Sequence, residues 1–248
     1  MTLIVDEVML REPNLLIPGK KPVGPVKIDW SHPLTNKLKH AFILSHLTGY
    51  RDLVSGILPT TNVATTIDNK GAFHNTGYLN YPTPDWINSG VTNATFFYRS
   101  NGSNLTSGRS GFGFHAYGAT GSRFGVVIYQ DDIYFSADIA GTLKSVIVST
   151  GWPLYVTTDL AARYDGTLST ASERYVGYIN GAEYTSGDAF PASMETNYSR
   201  LYLGAYGYGS VAYYNINTSE IGYIWNRTLS TAELESIRFD PYQFLIPA

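Results

Sequence analysis

From residue 40 onward the chain is a succession of short runs in which apolar and polar residues alternate, separated by turn residues. The runs 94–99, 123–129, 133–137, 145–149, 154–158, 160–164, 174–179, 200–204 and 219–225 each read as a strand. Gln130-Asp131-Asp132 joins two of them at hairpin spacing. Asn180-Gly181 is a stronger hairpin signal, because both residues of a type I′ turn need positive φ. Strands this short and this closely spaced predict a two-sheet sandwich or barrel. One helix stands out at 230–239. Ser230-Thr-Ala-Glu233 is a capping box, Leu234 and Ile237 supply an apolar stripe, and Asp240-Pro241 ends the helix. The apolar tail after it, Tyr-Gln-Phe-Leu-Ile-Pro-Ala, is expected to dock on the domain.

The first 28 residues follow a different rule. Pro13, Pro18, Pro22 and Pro25, with Gly19 and Gly24 between them, exclude a helix and favour extended backbone. The expected organisation is therefore an extended arm and linker over 1–39 and one sandwich domain over 40–248. Leu15, Leu16 and Ile17 are an apolar cluster that an isolated arm would expose. Lys20 and Lys21 sit beside it, within a lysine-rich stretch over 20–39. These five residues are the expected partner-anchoring element; the alternative is that the arm packs back onto its own sandwich.

Composition sharpens the fold class. There are 20 tyrosines, 11 phenylalanines and 24 glycines, and charged residues are only 15% of the chain. Aromatic residues suit half-buried pleated surfaces, glycine suits turns and bulges, and low charge suits a surface partly covered by a partner. The absence of cysteine excludes disulfides, thiolate nucleophiles and thiolate metal sites. A net charge of −3 argues against nucleic acid as a partner. The opening Met1-Thr-Leu-Ile-Val-Asp-Glu-Val lacks the basic start of a signal peptide, and no stretch is apolar enough for a membrane span.

Three stretches resemble the concanavalin A-like jelly rolls of the laminin-G type. They are Ala161-Ala-Arg-Tyr-Asp-Gly166 with Arg174-Tyr-Val-Gly-Tyr-Ile-Asn-Gly181, then Arg200-Leu-Tyr-Leu-Gly-Ala205, then Glu220-Ile-Gly-Tyr-Ile-Trp-Asn-Arg-Thr-Leu-Ser-Thr-Ala-Glu-Leu234. Together they cover roughly 70–238, the last being the most specific and the middle third matching poorly. The flanks, Lys21-Pro-Val-Gly-Pro-Val-Lys-Ile-Asp-Trp-Ser-His-Pro-Leu34 and Arg238-Phe-Asp-Pro-Tyr-Gln-Phe244, resemble the ends of laminin-G-type proteins of tailed-phage virions. The resemblance implies an antiparallel jelly-roll sandwich made in a host cytoplasm and displayed on a virion.

Chemistry is weighed against that expectation. The glucanase relatives carry Glu-x-Asp-x-x-Glu on a strand; no such run occurs here, and Asp131 and Asp132 are adjacent, so on a strand they would face opposite ways. None of the histidines, His32, His40, His46, His74 and His115, sits in a hydrolase or zinc motif, and ordinary half-buried roles are expected for them. Calcium is the ion the resemblance implies. Asp131, Asp132, Asn215 and Asn217 are weak loop candidates for it, with Asp165 another, and no resident cofactor is expected. Gly204-Ala-Tyr-Gly-Tyr-Gly209 reads as a loop presenting Tyr206 and Tyr208, with Tyr213 and Tyr214 close behind. These tyrosines suit either subunit contact or stacking on sugar faces.

The expected role is a non-enzymatic structural protein of a tailed-phage virion, a capsid decoration or fibre module. It would be a homo-oligomer such as a trimer, with other virion proteins as partners. The alternative is a carbohydrate-binding module for host surface glycans, and a glycoside hydrolase is the third reading.

Overall fold

The structure is a computed structural model and describes residues 16–248 apart from 23, 105–108, 116–122, 130–131, 140–141, 150–155, 195, 197, 209–210 and 215. The described chain is an all-β antiparallel sandwich with one short helix near its C-terminal end. Its first half holds β1 (Val26–Ile28), β2 (Leu38–Ile43), β3 (Thr61–Ile67), β4 (Ala72–Pro82), β5 (Asn93–Asn104), β6 (Arg109–His115), β7 (Arg123–Tyr129) and β8 (Asp132–Ile139). The second half holds β9 (Thr142–Ser149), β10 (Thr157–Asp165), β11 (Tyr175–Ile179), β12 (Ala182–Tyr184), β13 (Arg200–Leu203), β14 (Ala205–Tyr208), β15 (Val211–Tyr214) and β16 (Ile216–Trp225). The helix α1 (Thr231–Phe239) and β17 (Leu245–Pro247) close the chain.

Most strands form one hydrogen-bonded ribbon in the order β12-β11-β10-β5-β16-β4-β13-β6-β7-β8-β9, with β2 beside β16 and β3 beside β4. The ribbon folds over so that its two ends stack. Tyr175 on β11 donates its hydroxyl to the Gly125 carbonyl on β7 at 3.1 Å. A Cβ added at Gly177 would lie 2.0 Å from Phe135 on β8, so the two layers touch there through bare backbone. Between the layers lies a core that includes Phe96, Tyr98, Phe112, Phe124, Leu160 and Tyr164.

A second core covers the outer face of the β2-β16-β5-β10-β11 layer. Period two explains it: Phe96 and Tyr98 enter the inner core, while Phe97 between them points outward and packs with Ala161, Val176, Tyr178 and Tyr223. Leu234 and Ile237 of α1, with Phe244 and Leu245 of the tail, seal that face. The expected capping box is present: Ser230 Oγ accepts from the Glu233 amide at 3.2 Å, and Glu233 accepts from the Ser230 amide at 2.8 Å. The Asn180-Gly181 hairpin is present too, joining β11 to β12 at φ of 50° and 89°.

The expected boundary at residue 40 falls inside β2, and the sandwich begins earlier. β1 pairs with β17, with Val26 opposite Pro247 and Ile28 opposite Leu245. Val26, Ile28 and Leu34 belong to the second core, and the Trp225 indole donates to the Leu34 carbonyl at 2.6 Å. Prolines kept this segment extended, but its apolar residues had a sheet face to cover. The runs 154–158 and 160–164, read as two strands, meet in the single strand β10, with 154 and 155 outside the described residues.

Candidate functional site

A cavity of about 300 Å³ lies where β2, the loop after it and the end of β4 converge. β2 supplies Lys39, His40 and Phe42; the loop supplies Asp52, Ser55 and Ile57; β4 and the segment beyond it supply Tyr81, Pro82, Thr83 and Pro84. Trp86 closes the wall from a 3-10 turn (Asp85–Ser89) capped by Pro84. Two prolines around Thr83 limit the backbone freedom of this rim. The volume is at the lower end of the range for small-molecule pockets.

The loop is folded back by Asp52. Its Oδ1 accepts from the Ala41 amide at 2.9 Å and from the Val54 amide at 3.1 Å. Its Oδ2 accepts from Ser55 Oγ at 2.6 Å and meets His40 Nδ1 at 2.9 Å. The Leu53 amide donates to the Ala41 carbonyl at 2.8 Å, fixing the loop alongside β2. Burial alone would raise the Asp52 carboxyl, but the His40 contact and the amide and hydroxyl donors outweigh it and hold the group below the usual carboxylate range. Four donors fill the acceptor capacity of a carboxylate. Asp52 therefore shapes the site and orients His40 while having no lone pair to spare for a guest.

Three polar atoms of the lining residues, His40 Nε2, Thr83 Oγ1 and Trp86 Nε1, are fully enclosed and have no hydrogen-bond partner. Around them the surface is aromatic. His40 stacks on Phe42 at 6.0 Å and lies 6.2 Å from Trp86, and Phe42 contacts Tyr81 at 4.7 Å. The Tyr81 hydroxyl is spent on the Tyr50 carbonyl at 2.6 Å. Ile57, which lines the cavity, is also exposed at the surface. The lining of this small volume thus combines aromatic rings with the polar residues Lys39, Ser55 and Thr83.

A second histidine has no such access. His74 on β4 is fully enclosed, with Nδ1 2.9 Å from Thr65 Oγ1 and Nε2 2.9 Å from Ser219 Oγ. This Ser–His contact has a threonine where a triad would need a carboxylate, and no route for a substrate. It is a structural network.

The residues picked out from the sequence lie elsewhere. The segment 204–209, read as a loop, enters strand β14, which pairs with β15 so that Tyr206 is opposite Tyr213 and Ala205 opposite Tyr214. Tyr208 ends β14 opposite Val211. Tyrosine favours pleated backbone, which decided the matter over the flanking glycines. Of the arm, Leu15 lies outside the described residues, and Leu16 is partly buried against the second core. Ile17 is half-buried and accepts from the Lys20 amide at 3.0 Å, while Lys20 itself is exposed. Lys21 Nζ donates to the Leu44 carbonyl at 2.6 Å and the Lys70 carbonyl at 2.9 Å. Burial lowers that amine to about 8, against the opposing pull of Glu220 and Asp68.

Among the calcium candidates, Asp131 and Asn215 lie outside the described residues. Asp132 opens β8, its carboxylate 3.4 Å from the Tyr134 hydroxyl. Asn217 is on β16 and not on a loop; it is enclosed, and its Nδ2 donates to the Tyr98 hydroxyl at 3.0 Å and Ser100 Oγ at 3.1 Å. Its polarity serves a buried network instead of solvent. Among the described residues no group of three His, Asp or Glu side chains is placed to hold a metal ion. Sequence reasoning weighed His40 only as an ordinary histidine and passed over Asp52 and Trp86. The one local signal was Asp52-Leu-Val-Ser-Gly56, an Asx-turn pattern that sends the Asp52 carboxylate back to its own backbone.

No protein-family model and no curated protein matches the sequence. Solved structures do match in shape. Trypanosoma rangeli sialidase in complex with sialic acid aligns with a TM-score of 0.62 at 14% identity, over 84% of this chain and 33% of the sialidase. The same sialidase in complex with 2,3-difluoro-KDN aligns with a TM-score of 0.64 at 13% identity, over 98% of this chain and 39% of the other. Domain 4 of AbnA, a GH43 extracellular arabinanase from Geobacillus stearothermophilus, in complex with arabinotriose, aligns with a TM-score of 0.55 at 14% identity, over 82% of this chain and 98% of that domain. The chain thus spans less than half of the sialidase but nearly the whole of the arabinanase domain. At these identities the likeness is one of fold, a β-sandwich shared with carbohydrate-active proteins.

Proposed function

We propose that this chain is a glycan-binding β-sandwich module whose sugar subsite is the cavity formed by His40, Asp52, Thr83 and Trp86. The observation that carries the reading is a cavity of about 300 Å³ whose lining combines the aromatic rings of His40, Phe42, Tyr81 and Trp86 with the polar residues Lys39, Ser55 and Thr83. Sugar rings offer apolar C–H faces to aromatic rings and hydroxyls to polar side chains. The fold shared with an arabinanase domain solved with arabinotriose supports the reading.

In this proposal the module is non-enzymatic. Asp52 is committed to four donors, and Ser55 directs its proton to Asp52 instead of standing beside His40 Nε2 as a nucleophile. The setting proposed from the flanking segments is a tailed-phage virion, where the module would recognise host surface glycans. Capsid or tail genes beside its own gene would support that setting; polysaccharide-degradation genes would overturn it.

A glycan array with the full chain tests the binding itself. Retention of a defined glycan class by the native protein, lost in a Trp86→Ala variant that still unfolds cooperatively in urea, is the expected result. No retention, or retention indifferent to Trp86, would refute the site. Turnover of chromogenic reporter sugars would overturn the non-enzymatic assignment.

A further inference from the structure

The shape of the cavity narrows the kind of guest that it can hold. Resting on the glycan-binding reading above, we infer that it takes a glycan end-on, gripping the terminal residue of a chain and not residues in the chain's interior. A groove that admits the middle of a chain must be open at both ends, and here the two walls are joined at each. The loop that leaves β2 is held against it, with Phe42 bridged to Asp52, and crosses to β4, where the Thr60 amide donates to the Asn80 carbonyl at 2.8 Å. The Tyr81 hydroxyl on β4 ties the same two walls together at the Tyr50 carbonyl. Elsewhere the β2 wall meets the 3-10 turn directly, the His40 and Trp86 rings lying 6.2 Å apart.

The base is closed as well. Phe42 and Tyr81 are 0% and 2% exposed and belong to the inner core, their rings 4.7 Å apart and that of Phe112 6.1 Å from Phe42. The exposed members of the lining are Ser55, Ile57 and Pro82, so the mouth lies on their side. Pro82 and Pro84 limit the freedom with which this rim could swing open into a groove. A cup of about 300 Å³, at the lower end of the range for small-molecule pockets, suits one sugar ring. The next residue of a chain would stand at the mouth in water, where it buries little surface and adds little affinity.

Isothermal titration of the full chain with the methyl glycoside, disaccharide and hexasaccharide of glucose, of mannose and of N-acetylglucosamine tests the inference. In a series that binds, molar affinity is expected to stay within about threefold from the single ring to the hexasaccharide, because lengthening a chain adds no ends. A groove would instead gain about tenfold or more as further rings entered it. A Trp86→Ala variant that still unfolds cooperatively should lose binding at every length. Affinity that climbs with length, and is still lost in Trp86→Ala, would overturn end-on recognition while leaving the glycan-binding reading intact. Length-independent binding that survives Trp86→Ala would overturn the assignment to this cup. Binding of no member of the three series would overturn the inference as well, with the glycan array then deciding the broader reading.

Discussion

His74 Nε2 and Ser219 Oγ lie 2.9 Å apart although 145 residues separate them in the chain. Ser219 also meets the Tyr98 hydroxyl at 2.6 Å, and His74 reaches Thr65 on its other side, so one imidazole ties β3, β4, β16 and β5 together. Burial lowers this imidazole from 6.5 to about 3. Below 6.5 the unfolded chain takes up a proton that the native chain refuses, so native stability falls as pH drops from 6.5 towards 3. Urea unfolding should show this loss on acidification. A His74→Gln variant, weaker by about 1–3 kcal/mol near neutrality because the network is broken, should close the gap with the native protein as pH falls.

Lys21 titrates in the opposite range. Its amine is lowered from 10.5 to about 8. Below 8 it is charged in both states, and the full cost of holding a half-buried cation is present; between 8 and 10.5 the native chain releases the proton first and that cost is relieved. Relative to Lys21→Met, the native protein should therefore gain stability as pH rises through that window. Parallel denaturation series of the two proteins would show it, and a constant difference would contradict it.

Asp52→Asn should be strongly destabilising. The amide keeps the shape but offers one acceptor oxygen where the carboxylate offers two, and His40 loses its anionic partner in a buried setting. Leaving a buried donor of this set without its acceptor costs about 1–3 kcal/mol. The loop over 52–57 should become accessible to hydrogen exchange in step with the fall in unfolding free energy. Stability within about 0.5 kcal/mol of the native protein, the size of an ordinary surface change, would contradict this account of the loop.

Gly177→Ala should cost about 1–3 kcal/mol by overpacking, since the new methyl would collide with the Phe135 ring. Combining it with Phe135→Leu should recover part of the loss, and a double-mutant cycle should give a clear interaction energy. Additive effects would place the strain elsewhere.

Much of the fold was legible because its signals are local. The capping box at Ser230 and Glu233, the Asn180-Gly181 turn and the alternation through Tyr175, Val176 and Tyr178 each act within a few residues. The segment around Tyr206 was misread because glycine was taken as loop punctuation where tyrosine spacing decided for a strand. The 26–39 stretch was assigned to the arm because the prolines just before it are visible in sequence and the partner strand of 26–28, more than 200 residues later, is not. The cavity was illegible for the same reason. His40, Asp52 and Trp86 come from three segments with no shared spacing, and only the fold brings them together.

The clasp between β1 and β17 has a consequence for the order in which the sandwich assembles. Val26 is opposite Pro247, Ile28 is opposite Leu245, and the Ala248 amide donates to the Pro25 carbonyl at 3.0 Å. Val26, Ile28 and Leu245 all belong to the second core, so one side of that core is closed by segments more than 200 residues apart. Pairing at such separation carries the loop-closure cost of nearly the whole domain before its contacts offset it, which makes the clasp a late, non-local step and places the local hairpins such as β11-β12 ahead of it.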